Sequence, residues 1–167
     1  MNEKLCTADL YDAFGDRCSS CETQFRQYAA RLEFSGKTRT VKGFGDNSLL
    51  RRTLETRSEG EVLVVGGSGY LGSTLVGDLI AELGTKNGWS GVVIFGAIRG
   101  ARAIARFCLR CGGTWIEPTK EHQAGRGVRR YCRLVRRSYF YSRQWLYSDD
   151  DGVLVSREQL VAPADQS

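Results

Sequence analysis

Proline and histidine are almost missing: 167 residues contain two prolines and one histidine. So few prolines leave no proline-rich linker, and no internal repeat or low-complexity tract divides the chain. The lone His122, in the polar stretch EHQAG, has no visible partner and supports no imidazole chemistry. Long apolar runs are missing too. The longest, around Val92 to Ile98, falls far short of the roughly 20 residues that a membrane span needs. The start, MNEKLCTADLYDAF, mixes in acids and has no apolar segment of the secretory kind. The expectation is a cytoplasmic protein with no membrane partner, its six cysteines reduced. With 41% hydrophobic and 26% charged residues, the chain reads as one globular domain, long enough to bury its own core.

Acidic residues are scarce in one segment. Residues 99–148 carry 12 basic and 2 acidic side chains, whereas residues 1–98 are nearly balanced and residues 149–167 are acidic. Nineteen of the 24 basic residues are arginine, seven of them between Arg126 and Arg143, interleaved with Tyr131, Tyr139, Phe140 and Tyr141. Such a segment attracts anions. Its charge would hold phosphates and its rings would stack on unpaired bases of RNA. It would equally suit an acidic protein segment. The plainer alternative is a strand pair with aromatics turned to the core and arginines to water. Arg129, Arg130, Arg133, Arg136 and Arg137 are the candidate contacts.

Periodicity outlines the elements. Thr7 to Phe14 reads as a helix with Thr7 as its N-cap. Arg39 to Lys42 reads as a strand, and Asn47 to Thr56 as a helix. Glu61 to Val65 and Gly91 to Phe95 are short, β-branched buried strands. A helix should begin between Ser73 and Gly77 and end near Asn87-Gly88. Ala101 to Leu109 looks helical, Tyr131 to Tyr141 forms one or two strands, and Gly152 to Val155 a last strand before a helix start at SREQL. Strand–helix–strand alternation between flanking strands predicts an α/β domain on a mixed sheet.

Gly67-Ser68-Gly69-Tyr70-Leu71-Gly72 matches the G-x-G-x-x-G of dinucleotide sites, where backbone meets a pyrophosphate at a helix start. Three points oppose that reading. Sixty residues precede what should be the first strand. The next strand ends in Gly96-Ala97-Ile98-Arg99, with no acid for a ribose. Too little chain follows for a second half-sheet. A turn where backbone packs closely fits better. Cys18-Ser19-Ser20-Cys21 and Cys108-Leu109-Arg110-Cys111 have zinc-like spacing within each pair, but 86 residues separate the pairs. Buried, inert thiols are favoured over zinc or a redox dithiol.

The runs VKGFGDNSLLRRTLE and GEVLVVGGSGYLGSTLVGDLIAELGTKNGWSGVVIFGAIR, with the closing QWLYSDDDGVLVSREQL, resemble the RraA-like family. That family holds protein regulators of ribonuclease E activity and 4-hydroxy-4-methyl-2-oxoglutarate aldolases. The resemblance runs from about Thr7 to Leu160 and is weakest from Arg102 to Arg143. It implies one domain over 1–167, with a core of about 7–160 and a short tail from 161 to 167. It further implies a compact α/β sandwich of the swivelling β/β/α, phosphohistidine-domain type and a homotrimer, sometimes doubled to a hexamer, with clefts between subunits. No methyl-donor loop is recognisable beyond the glycine turn.

By the same resemblance, a keto-acid carboxylate would lie at the helix start Gly77-Asp78-Leu79-Ile80, with Arg99 as its bidentate partner. Arg99 and Asp78 would be the catalytic candidates. The family's metal-binding aspartate belongs directly after that arginine, where this chain has Gly100. Gly66 and Gly72 stand where the family usually has Asp and Arg. These departures favour a regulator, an inhibitor of RNA-processing machinery acting through protein contacts. The alternative is a lyase needing magnesium or manganese, with Asp78 or an acid of a neighbouring subunit replacing the missing ligand.

Overall fold

The computed structural model describes residues 6–23, 25–28, 33–43, 46–104, 109–112, 131–133 and 139–161. Helix α1 (Thr7–Phe14) leads through one 3-10 turn to strand β1 (Cys18–Ser20), then β2 (Arg26–Gln27) and β3 (Phe34–Lys42). Helix α2 (Ser48–Leu54), β4 (Val62–Gly66), β5 (Thr74–Val76) and α3 (Asp78–Lys86) follow. Next come β6 (Gly91–Phe95), β7 (Ala97–Ile98), α4 (Ala101–Ile104) and β8 (Leu109–Gly112). The described chain closes with β9 (Tyr131–Arg133), β10 (Tyr139–Tyr141), β11 (Trp145–Ser148) and β12 (Val153–Ser156).

Eight strands form one mixed sheet in the order β1-β12-β11-β3-β4-β6-β8-β2. The central strands β3, β4, β6 and β8 are parallel, and antiparallel strands finish both sides. The sheet has to curl. Laid flat, its outer strands would stand roughly 34 Å apart at about 4.8 Å per strand. Yet β1 and β2 occupy those two edges, and the few residues joining them reach only about 20 Å.

The alternation of side chains across β4 and β6 divides the core between the two faces of the curl. Val62, Val64 and Val93 point inside with Phe34, Phe140, Leu146, Val153 and Val155. Leu63, Val65, Val92 and Ile94 point outside against Leu50 and Leu54 of α2, Ile80 and Ala81 of α3, and Ile104 of α4. Because β4 and β6 are covered on both faces, their sequences are unbroken apolar runs. Helix α1 covers a third cluster, where Leu10 meets Cys18, Tyr147, Leu154 and Leu160.

An α/β chain on a mixed sheet was expected and is found, with Gly91–Phe95 a strand over the expected residues. Other boundaries move. Ser73 to Gly77 does not open a helix: Thr74–Val76 is a strand and α3 starts at Asp78. Its β-branched, wholly buried residues pair with β7. Of the helix expected from Ala101 to Leu109, Ala101–Ile104 is helical and residues 105–108 lie outside the described residues, while Leu109 is not helical but opens β8 beside β6. SREQL forms a bend, because Ser156 Oγ donates to the Glu158 carbonyl (2.5 Å) and Leu160 N–H donates to Tyr147 Oη (2.6 Å). Thr7 is the first helical residue of α1, and the residue before it gives no side-chain cap. The strand expected at Arg39 reaches back to Phe34.

Candidate functional site

The carboxyl ends of the parallel strands meet at one rim, since Lys42, Gly66 and Phe95 lie in register on β3, β4 and β6. In open α/β sheets this is the side where ligands bind. Here the glycine stretch makes a tight turn. Ser68 and Gly69 both have positive φ (+58° and +67°), and Tyr70 N–H donates to the Gly67 carbonyl at 3.0 Å. The turn leads into β5, not into a helix. A Cβ at Gly67 would meet the Phe95 carbonyl oxygen at 2.6 Å and Leu75 Cδ1 at 2.4 Å. Gly69 N–H is taken by the Phe95 carbonyl (3.2 Å). No helix start is offered to a pyrophosphate there, so the dinucleotide reading falls and close backbone packing stands.

Beyond the turn, β5 pairs with β7 and carries the chain to the start of α3. Arg99 N–H donates to the Val76 carbonyl at 3.1 Å, which sets Arg99 and Gly100 beside Gly77 and Asp78. Gly77 is extended (φ −115°, ψ −176°) and has no side chain to cap α3. The N–H groups of Asp78, Leu79 and Ile80 have no acceptor within the helix and give this end a positive potential. Asp78 is exposed and Arg99 half-buried. Ile80 is a core residue, so only its backbone can serve a ligand. Leu79, in contrast, is 74% exposed.

Gly100 adopts φ +69°, the left-handed region that glycine favours. A Cβ there would have Asp78 Cβ and N as its nearest neighbours, both at 3.9 Å. The position next to Arg99 that would face Asp78 thus carries no donor atom. Asp78 is the carboxylate beside this empty position, and one protein carboxylate anchors a divalent cation less firmly than two, so the residues at Arg99-Gly100 fit the family's cation poorly. At Gly72 an added Cβ would strike the Tyr70 ring, whose hydroxyl folds over that glycine.

Cys18 and Cys21 face different clusters, Cys18 under α1 and Cys21 against the inside of the curl. The Cys18 thiol donates to the Phe14 carbonyl (3.4 Å), and burial pushes its pKa up. That is the setting of an inert thiol. Cys108 lies outside the described residues. So do Arg129, Arg130, Arg136 and Arg137, along with His122, while Arg133 closes β9. The expected strand pair is present as β9–β10, with Phe140 in the core and Tyr141 exposed.

Sequence reasoning passed over Asp149. Its carboxylate accepts from Thr7 N–H (2.5 Å), Thr7 Oγ1 (2.7 Å), Asp151 N–H (3.0 Å) and Gly152 N–H (3.3 Å). It therefore caps α1 from the β11–β12 turn. Cys6, Asp149 and Asp151 come close enough to suggest a metal group, but Asp149 is already committed as a cap. The sequence signal was the Asp-x-x-Gly of a tight turn at Asp149–Gly152.

A curled mixed sheet with a glycine turn, a bare helix start and an arginine gathered on one rim defines a particular class of α/β protein. The chain belongs to the RraA-like family, whose Aldolase/RraA model matches residues 7–155. A protein of Alkalilimnicola ehrlichii, provisionally named a 4-hydroxy-4-methyl-2-oxoglutarate aldolase, is 39% identical over 155 residues, covering 93% of this chain and 96% of the relative. A solved structure from Geobacillus kaustophilus, titled an S-adenosylmethionine:2-dimethylmenaquinone methyltransferase, superposes with TM-score 0.87 at 36% identity, covering 96% of this chain and 99% of that one. The RNA-processing inhibitor RraA from Thermus thermophilis matches equally well in TM-score, 0.87, at 29% identity over 98% of each chain. No helix among the described residues is long and apolar enough to cross a membrane.

Proposed function

We propose that this chain is a ring-forming, cytoplasmic binding protein of the RraA-like family that regulates RNA-processing machinery, as a ribonuclease inhibitor, through protein contacts. Its 167 residues act as one domain. Gly77, Asp78, Leu79, Ile80 and Arg99 line an anion-binding cleft that holds a carboxylate without a metal. The observation that carries this reading is Gly100: the position beside Arg99 has a left-handed backbone and no side chain. The RraA structure of similar fold supports a protein partner of RNA metabolism. Arg129, Arg130, Arg133, Arg136 and Arg137 supply the charge for such a partner or for RNA. Tyr70, Leu71 and Leu79, three of the six exposed large hydrophobics among the described residues, lie on the turn and helix bordering the cleft. An apolar rim of this kind supports self-association as a homotrimer around the cleft.

The second reading is a magnesium- or manganese-dependent aldolase, a lyase that also decarboxylates oxaloacetate. It is favoured by Asp78, whose side chain stands beside the position that lacks a carboxylate. The two readings separate on pyruvate release from 4-hydroxy-4-methyl-2-oxoglutarate and from oxaloacetate, measured with and without magnesium. The binding reading expects no metal-stimulated release above the uncatalysed rate. Release that requires both metal and Arg99, lost in Arg99→Ala, would establish the aldolase instead. Light scattering on the same preparation is expected to give three times the chain mass; a monomer at micromolar concentration would remove the ring.

A further inference from the structure

A second cavity lies away from the rim, on the outer face of β3 and β11 near the approach to β4. It is a groove of about 790 Å³. Its floor is backbone. Gly36 and Gly60 meet so closely that a Cβ at Gly36 would collide with the Gly60 carbonyl oxygen, and Gly60 has φ +85°. Trp145 forms one wall, directly across the ladder from Lys37, whose Nζ sits 5.8 Å from the ring centroid. Lys37 and Arg57 line the groove and are exposed. Neither has a carboxylate partner among the described residues.

The remaining charges have separate uses. Arg39 makes a two-pronged contact with Glu61 (Nε–Oε1 2.8 Å, Nη2–Oε2 2.7 Å), reaches Thr56 Oγ1 and stacks on Trp89. That pair is neutral and holds the wall in place. Glu59 is exposed beside Arg57 and offers only acceptor oxygens. Two available cations, one aromatic face, one acceptor carboxylate and a side-chain-free floor thus share one groove.

We propose that this groove binds a nucleoside monophosphate. Lys37 and Arg57 take the phosphate, the base stacks on Trp145 where the Lys37 ammonium now rests, and Glu59 accepts from ribose hydroxyls. Each group alone is ordinary surface chemistry. A ligand with phosphate, sugar and planar base uses all of them at once. The cleft by Arg99 is not involved.

The test uses the full chain and adenosine 5′-monophosphate, followed by calorimetry and tryptophan fluorescence. Saturable binding is expected, with quenching that disappears in Trp145→Phe. Lys37→Ala/Arg57→Ala is expected to weaken binding at least about tenfold, and both side chains are exposed, so the fold survives. Adenosine, ribose 5-phosphate and orthophosphate should each bind more weakly. The proposal fails if adenosine monophosphate does not saturate in the millimolar range, if the double variant binds unchanged, or if orthophosphate binds as well. It fails equally if only an oligonucleotide binds, because the groove would then not recognise the monomer.

Discussion

Gly100→Asp is expected to create magnesium-dependent pyruvate release from oxaloacetate, raised about 10²–10³-fold over the unaltered chain. The backbone at residue 100 is left-handed (φ +69°), which asparagine and aspartate tolerate better than other side chains. The space is open, since the nearest atoms to an added Cβ belong to Asp78 at 3.9 Å. A carboxylate there would stand next to Asp78 and Arg99, giving the two acids that magnesium commonly draws from a protein. The backbone strain costs about 1 kcal/mol, so the variant should unfold a few degrees lower without metal and regain that on adding magnesium. Adding Arg99→Ala to it should abolish the gain. A folded Gly100→Asp protein that binds magnesium yet releases no pyruvate would mean that the rim no longer accepts a keto acid, and the cleft reading would fall with it.

The fold and the site were legible to different degrees, for physical reasons. Strands β4 and β6 are covered on both faces, so burial alone dictates their apolar runs and leaves a plain signal. Helix α3 has one buried stripe and ends at Lys86, with Asn87 as its C-cap and Gly88 at φ +81°, which made its end clear. Its start was blurred because Ser73 to Gly77 is equally compatible with an extended chain. What makes it a strand is pairing with β7, a contact that no local pattern encodes. Strands β1 and β2 are too short for any periodicity and exist because the sheet curls to bring its edges within reach. The glycine turn matched a nucleotide motif in letters only. Gly67 makes room for Leu75 and the Phe95 carbonyl, and Gly69 for the Phe95 ring, which stands on a different strand. Arg99 and Gly77–Ile80 came from family resemblance, and the β5–β7 pairing is what sets them side by side. Asp149 was hidden for a similar reason, since its partner Thr7 is 142 residues away.

Asp149→Ala is expected to destabilise the protein by about 2–4 kcal/mol. Four donors converge on this buried carboxylate, and two of them belong to the first residue of α1. Truncation leaves Thr7 without an acceptor at a helix end where no neighbouring side chain substitutes. The β11–β12 turn also loses the bonds from Asp151 and Gly152. At roughly 2–4 °C per kcal/mol for a chain of this size, the unfolding midpoint should fall by about 5–15 °C. Asp149→Asn keeps acceptor capacity but loses the charge and should lie between the two.

A local readout accompanies the global one. Helix α1 roofs the cluster that holds Cys18, and the Cys18 thiol is tied to the Phe14 carbonyl at the end of that helix. Burial now raises the Cys18 pKa and suppresses its thiolate. Loosening α1 would return the group toward its ordinary value, so at one fixed mildly alkaline pH more of it ionises and alkylation speeds up. Faster modification of Cys18 with a lowered midpoint would identify Asp149 as the cap that fastens α1 to the sheet. A midpoint shift below about 1 kcal/mol, with Cys18 still protected, would show instead that the apolar contact of Leu10 with Tyr147, Leu154 and Leu160 holds the helix without it.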